Sequence, residues 1–133
     1  MIDTTHRFQG HGSLRFVYQR GQTVRGPFCS LKYIVNHRRT TYRIAVVVSR
    51  KVHKSAVVRN RIRRRIYEIV RTEASRIQEP FDIVFIVYSD QLAELPADQL
   101  RTAMCEKLEK AGILRADGDS KRPTHAIVKP KET

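Results

Sequence analysis

Residues 42–89 read YRIAVVVSRKVHKSAVVRNRIRRRIYEIVRTEASRIQEPFDIVFIVYS, and the fold turns on this stretch. It opens on a β-branched apolar run, Tyr42 to Ser49, and closes on another, Phe81 to Ser89, each of strand length. Between them Val58, Ile62, Ile66, Ile69, Val70 and Ile77 step by three and four. That spacing predicts one long helix, capped by Ser55, running to about residue 78 and stopped by Pro80. Strand, helix and strand in this order form a βαβ unit. The apolar succession from Ile44 to Val48 further predicts that the first strand is covered on both faces or lies centrally in its sheet.

Working outward, residues 27–35 (PFCSLKYIV) are rich in β-formers and residues 36–41 are polar, so 27–35 and 42–49 read as an antiparallel hairpin. Upstream, Ser13 can cap a short helix with the body Leu14 to Arg20, ended by Gly21. Downstream, residues 90–96 read as a loop and 97–111 as a last helix, with Leu100, Met104 and Leu108 on one stripe and Gly112 as its stop. From residue 115 no period is sustained, which predicts a single domain over 1–114 and a flexible basic tail over 115–133.

The predicted central helix carries an unusual charge pattern. The core stripe of Ile62, Ile66, Ile69 and Val70 occupies one side, Arg61, Arg63, Arg64 and Arg65 wrap the rest of its first half, and Arg59 lies on the azimuth of the stripe itself, in the first turn. Cations near a helix start oppose the macrodipole, at about 0.3–1 kcal/mol each. Arg61 with Arg65 and Arg59 with Arg63 add like-charge repulsion at the i,i+4 spacing. Stability alone does not select this arrangement. Phosphates do, because exposed amides at a helix start and guanidinium forks then act together.

The whole chain agrees with that reading. Its 133 residues hold 26 Lys and Arg against 13 Asp and Glu, for a formal charge of +13. Residues 1–72 carry 17 Lys/Arg against 2 Asp/Glu, a net of +15, while residues 73–133 carry 9 against 11, a net of −2. The excess is interleaved with Val, Ile, Phe and Tyr, so it belongs to a folded binding surface for a polyanion rather than to a low-complexity tail. Cys29 and Cys105 have no Cys-x-x-Cys or Cys/His spacing around them, which argues against structural zinc and for free thiols in a reducing compartment. The first residues have no signal-peptide core and no apolar run is long enough to span a bilayer, so the expectation is a cytoplasmic protein with no membrane partner.

Ser49-Arg50-Lys51, followed by Ala56-Val57-Val58-Arg59-Asn60-Arg61-Ile62-Arg63-Arg64, resembles the signature of the bacterial ribonuclease P protein subunit, centred on its Arg-Asn-Arg motif. The element order is similar too, over roughly residues 7–114. The resemblance implies an α+β fold: a two-layer sandwich with about a four-stranded mixed sheet, three helices and a left-handed βαβ crossover. It implies an accessory protein of an RNA enzyme that removes the 5′ leader of precursor tRNA, so the partners would be the catalytic RNA and precursor tRNA. Catalysis would belong to the RNA and magnesium bound through it, with no catalytic or metal-binding side chain on the protein.

By position, the resemblance assigns RNA contact to Arg50, Lys51, Arg59, Asn60, Arg61, Arg63 and Arg64. It implies a leader cleft between the first helix and a sheet face, with Leu14, Phe16, Tyr18, Phe28, Leu31 and Tyr33 as candidates, together with Tyr67, where the family usually carries Lys or Arg. Aromatic rings beside arginines suit a single strand, since a base stacks on a ring whatever its identity. An independent nuclease would need paired carboxylates or a positioned histidine, and the basic part offers only Asp3, Glu68 and scattered histidines. A structural ribosomal-type RNA-binding protein is the alternative reading, and a DNA reader is a weaker one because the basic helix lies inside a βαβ unit.

Overall fold

The strand Phe81–Val87 is buried at every position except Ile86, and it takes the centre of the sheet. The computed structural model describes residues 11–114, with side chains from residue 14, so the tail expected over 115–133 lies outside the described residues. In chain order the elements are α1 (His11–Arg20), β1 (Gln22–Val24), β2 (Cys29–Val35), β3 (Arg43–Val48), α2 (Ala56–Thr72), β4 (Phe81–Val87) and α3 (Ala97–Lys110). The sheet is mixed, in the order β1-β2-β4-β3.

This order corrects the hairpin expected between 27–35 and 42–49. Strand β4 inserts between them, antiparallel to β2 and parallel to β3. The polar link 36–41 is long enough to cross the end of β4, and Asn36 N–H donates to the Pro80 carbonyl at 2.9 Å as it does so. The hairpin that forms instead is β1 with β2, through the short loop 25–28. Strand β3 is correspondingly an edge, not a central strand.

Alternation sorts the sheet's two faces. Leu31, Ile44, Val46, Ile83, Phe85 and Val87 join Ile62, Ile66 and Val70 of α2 and Leu100, Met104 and Leu108 of α3 in one core. Val84 and Val17 are fully buried yet stand outside that core. Val84 points to the opposite face, where α1 packs across β2 and β4.

Helix α1 already includes Ser13, so that residue is not its cap. Helix α2 stops at Thr72, earlier than the apolar spacing suggested. Ile77 is extended and bridges Leu114, which keeps the three-and-four rhythm without continuing the helix. At the end of α3, Gly112 adopts φ 79°, its N–H reaches the Glu109 carbonyl at 3.0 Å, and Ile113 N–H reaches Leu108 at 2.9 Å. This left-handed termination needs glycine.

Burial pushes the thiols of Cys29 and Cys105 and the phenols of Tyr33 and Tyr42 above their ordinary ranges, the Lys107 ammonium partly opposing the shift at Cys29. The unfolded chain releases these protons at ordinary values of about 8.5–10 while the folded chain still holds them. Their contribution is therefore complete below about pH 8 and is lost as the pH rises through that range and beyond. Thermal melts at pH 7.5 and 10.5 should show a lower midpoint at the higher pH.

Candidate nucleic-acid interface

The start of α2 is built to stay positive. Ser55 caps it, its hydroxyl accepting from Val58 N–H at 3.4 Å, and no acidic residue occupies the first turn. The approach to it is braced by Val52 N–H on the Ser49 carbonyl at 3.0 Å and by Ser55 N–H on His53 Nδ1 at 3.0 Å. Repulsion between neighbouring guanidiniums is relieved by carbonyl dipoles rather than by carboxylates. Arg59 turns back onto the carbonyls of His53 and Lys54, at 3.0 and 2.9 Å. This explains how it is tolerated on the azimuth of the apolar stripe. Arg63 donates to Asn60 Oδ1 at 2.6 Å and to the Val48 carbonyl at 3.3 Å, orienting the central Asn of the motif.

On the other flank, Arg61 Nε donates to the Ala93 carbonyl at 2.8 Å. Arg65 grips the carbonyls of Leu92 and Leu95 at 2.8 and 2.5 Å. Both carbonyl sets come from the 3-10 turn Asp90–Ala93 and the residues just after it. Arg65 was absent from the sequence-derived set, and no local signal could have found its role, because its acceptors lie 27 and 30 residues away. Carbonyls solvate these cations without neutralising them, so the face keeps its charge.

The seven RNA-contact candidates therefore divide. Arg50, Lys51 and Arg64 are exposed and have no hydrogen bond or ion pair among the described residues. Arg59, Arg61 and Arg63 have some donors committed internally, and Asn60 is exposed with its carbonyl oxygen engaged by Arg63.

The cleft candidates separate more sharply. Leu31 is fully buried in the main core, and Tyr33, Phe28 and Tyr67 pack against that same core. They lie on the side of α2, opposite α1, and so cannot join Leu14, Phe16 and Tyr18 in one cleft. The reason is the pleat: Leu31 and Tyr33 share the face of Phe85 and Ile83, their register partners. Tyr33 also meets Phe81 edge-on, with centroids 6.3 Å apart.

On α1, Phe16 and Tyr18 are 44% and 39% exposed, and Leu14 is half-buried. They flank Val17 on opposite sides, about 100° either way, with Leu14 on the flank of Tyr18. The sheet residues that accompany them are ones the sequence reading passed over: Lys32, Ile34, Ala45, Val47 and Ile86, all half-buried on the α1 face. The alternation within YRIAVVVS and FDIVFIVYS held the signal, obscured by apolar residues on both faces.

Among the described residues no group of three or more His, Cys, Asp or Glu stands together to hold a metal ion, and no helix is long and apolar enough to cross a membrane. Both thiols are free.

Comparison with known proteins bears on what this surface serves. The family profile described as Ribonuclease P matches residues 2–112. A ribonuclease P protein component of Chloroflexus aurantiacus is 34% identical over 125 residues, covering 94% of this chain and 87% of that one. One from Roseiflexus sp. is 39% identical over 103 residues, covering 74% and 83%. Among solved structures, the RNase P protein of Staphylococcus aureus superposes with a TM-score of 0.74 at 23% identity, covering 83% of this chain and 98% of that one. That of Thermotoga maritima gives 0.70 at 22% identity, covering 78% and 96%. The fold, the arginine-rich helix start and these matches agree: the chain belongs to the ribonuclease P protein family, the protein component of the endoribonuclease that processes the 5′ end of tRNA.

Proposed function

We propose that the start of α2 binds the catalytic RNA of ribonuclease P, and that the α1 side of the sheet holds the 5′ leader of precursor tRNA. The first assignment is carried by the uncompensated cations: Arg50, Lys51 and Arg64 beside a helix N-terminus with no acidic residue in its first turn. Only an external anion completes such a site. Arg59, Arg61 and Arg63 add their remaining donors to the same face. The leader is assigned to the α1 face of the sheet, which carries exposed Phe16 and Tyr18 on α1 and half-buried Ala45, Val47 and Ile86 on the strands. Rings and apolar strands offer a single strand stacking without sequence preference. Bond cleavage is left to the RNA, and magnesium enters with that RNA. The complex works in the cytoplasm on this reading.

Reconstitution tests it. Added to a bacterial ribonuclease P RNA at low magnesium, the protein should accelerate cleavage of precursor tRNA, and unchanged cleavage would overturn the proposal. In the same assay Tyr18→Ala should weaken precursor tRNA more than mature tRNA. Equal losses would remove the leader from this face.

A further inference from the structure

Tyr88 leaves the end of β4 with its ring half in solvent, at 50% exposure, and with both its donors already engaged. Its N–H donates to the Phe28 carbonyl at 3.0 Å, and its hydroxyl donates to the Gly26 carbonyl. The ring is thus a fixed apolar plate rather than a free side chain. Beside it, Lys107 of α3 is only 7% exposed and has no hydrogen-bond or ion-pair partner among the described residues. Its ammonium lies against Gly26, where a Cβ would stand 2.5 Å from Nζ. Cys29, whose thiol feels the Lys107 ammonium, is kept protonated by burial, so it offers no countercharge. The stem is enclosed, but the ammonium itself is not among the fully buried partnerless nitrogens, so an anion from outside can meet it. Arg25, exposed, stands next to Gly26 in the chain.

This cluster adjoins the arginine helix. Val48 and Val87 are register partners in parallel strands, so Ser49-Arg50 and Tyr88 emerge side by side at the same end of the sheet, where the strand termini form an edge. The 3-10 turn that follows Tyr88 is the one held by Arg61 and Arg65. Asp90 lies on that turn and Glu94 just after it, so the edge is not a uniform positive field. Recognition there depends on a ring and discrete cations.

We propose that this edge is a second RNA contact, separate from the α1 face, in which Tyr88 stacks an unpaired base and Lys107 and Arg25 meet the adjoining phosphates. The proposal rests on the RNA-binding reading above and extends it. The partner is single-stranded, because a base inside a duplex does not expose its face to a ring. The strand could belong to the leader or to a junction of the catalytic RNA, and the chemistry is the same.

The test uses the full-length protein and a fluorescein-labelled single-stranded RNA homopolymer, read by anisotropy. Tyr88→Ser should weaken binding about 5- to 100-fold, whereas Tyr88→Phe, which keeps the ring, should stay within about threefold of wild type. Lys107→Gln should reduce the log–log salt slope by about 0.7. Wild-type affinity in Tyr88→Ser overturns the stacking contact, and an unchanged slope in Lys107→Gln overturns the phosphate contact. Tyr88→Phe loses the hydroxyl bond to Gly26 just as Tyr88→Ser does, so the comparison separates loss of the ring from loss of that bond. Repeating the titration with catalytic RNA and with precursor tRNA assigns the strand: loss confined to one identifies the source, and loss with neither overturns the contact. Wild-type protein that fails to activate the RNA would instead sink the underlying assignment.

Discussion

Replacing Arg50, Lys51 and Arg64 together by alanine should lower affinity for the RNA partner about a hundredfold at 0.1 M salt and flatten the log–log salt dependence by about 2–3. These three side chains have no internal partner among the described residues, so their removal takes away charge without opening a structural bond. Each phosphate contact releases about 0.7–0.9 counterions, which sets both figures. The melting temperature should hardly move. Arg65→Ala, on the same helix, should behave in the opposite way. Its guanidinium is committed to Leu92 and Leu95, so the loss should be about 1.5–3 kcal/mol of stability, with the salt slope unchanged. Titrations at several salt concentrations beside thermal melts of both variants check the pair. A slope change in Arg65→Ala, or a collapse of stability in the triple variant, would show that the division of the arginines is wrong.

The second large effect is expected at Asp82. This carboxylate is 1% exposed and takes a two-point contact from Arg43, Nε on Oδ1 at 3.0 Å and Nη2 on Oδ2 at 2.9 Å. Asn36 adds its side-chain amide at 3.0 Å. The three residues lie where the 36–41 link crosses the end of β4, and Arg43 and Asp82 are register partners across β3 and β4. Asp82→Asn removes the buried carboxylate charge that takes the two-point contact from Arg43 and the amide of Asn36, and breaking a buried pair in this way costs about 3–5 kcal/mol. A double variant that replaces both with apolar residues of similar volume should recover much of that loss, because the desolvation of the ions disappears with them. Urea unfolding of the two single variants and the double variant measures the coupling. If Asp82→Asn unfolds at the wild-type denaturant concentration, the network does not pin the crossing link.

The contact between Arg43 and Asp82 also shows where reading the sequence stopped. Both residues were in view and the βαβ reading put their strands in one unit, yet 39 positions separate them and nothing local states the register that sets them side by side. Helix α2 was legible because its core stripe repeats locally at helical spacing, and only its end was misjudged, since Ile77 keeps the rhythm from an extended position. The cleft was less legible. In PFCSLKYIV the rings of Phe28 and Tyr33 suggested an RNA surface, but pairing with β4 turns Tyr33 toward the α2 side.

By itself the sequence determined the class of the fold, the address of the excess charge and the family, because each rests on local periodicity, on composition or on a contiguous motif. Only the tertiary structure decided that β4 divides β2 from β3, which face receives each strand residue, and which arginines remain free for RNA. Those outcomes depend on partners brought together from distant segments. The period of a strand states that its side chains alternate, but it does not state which strand will lie beside it or whose carbonyl an arginine will meet.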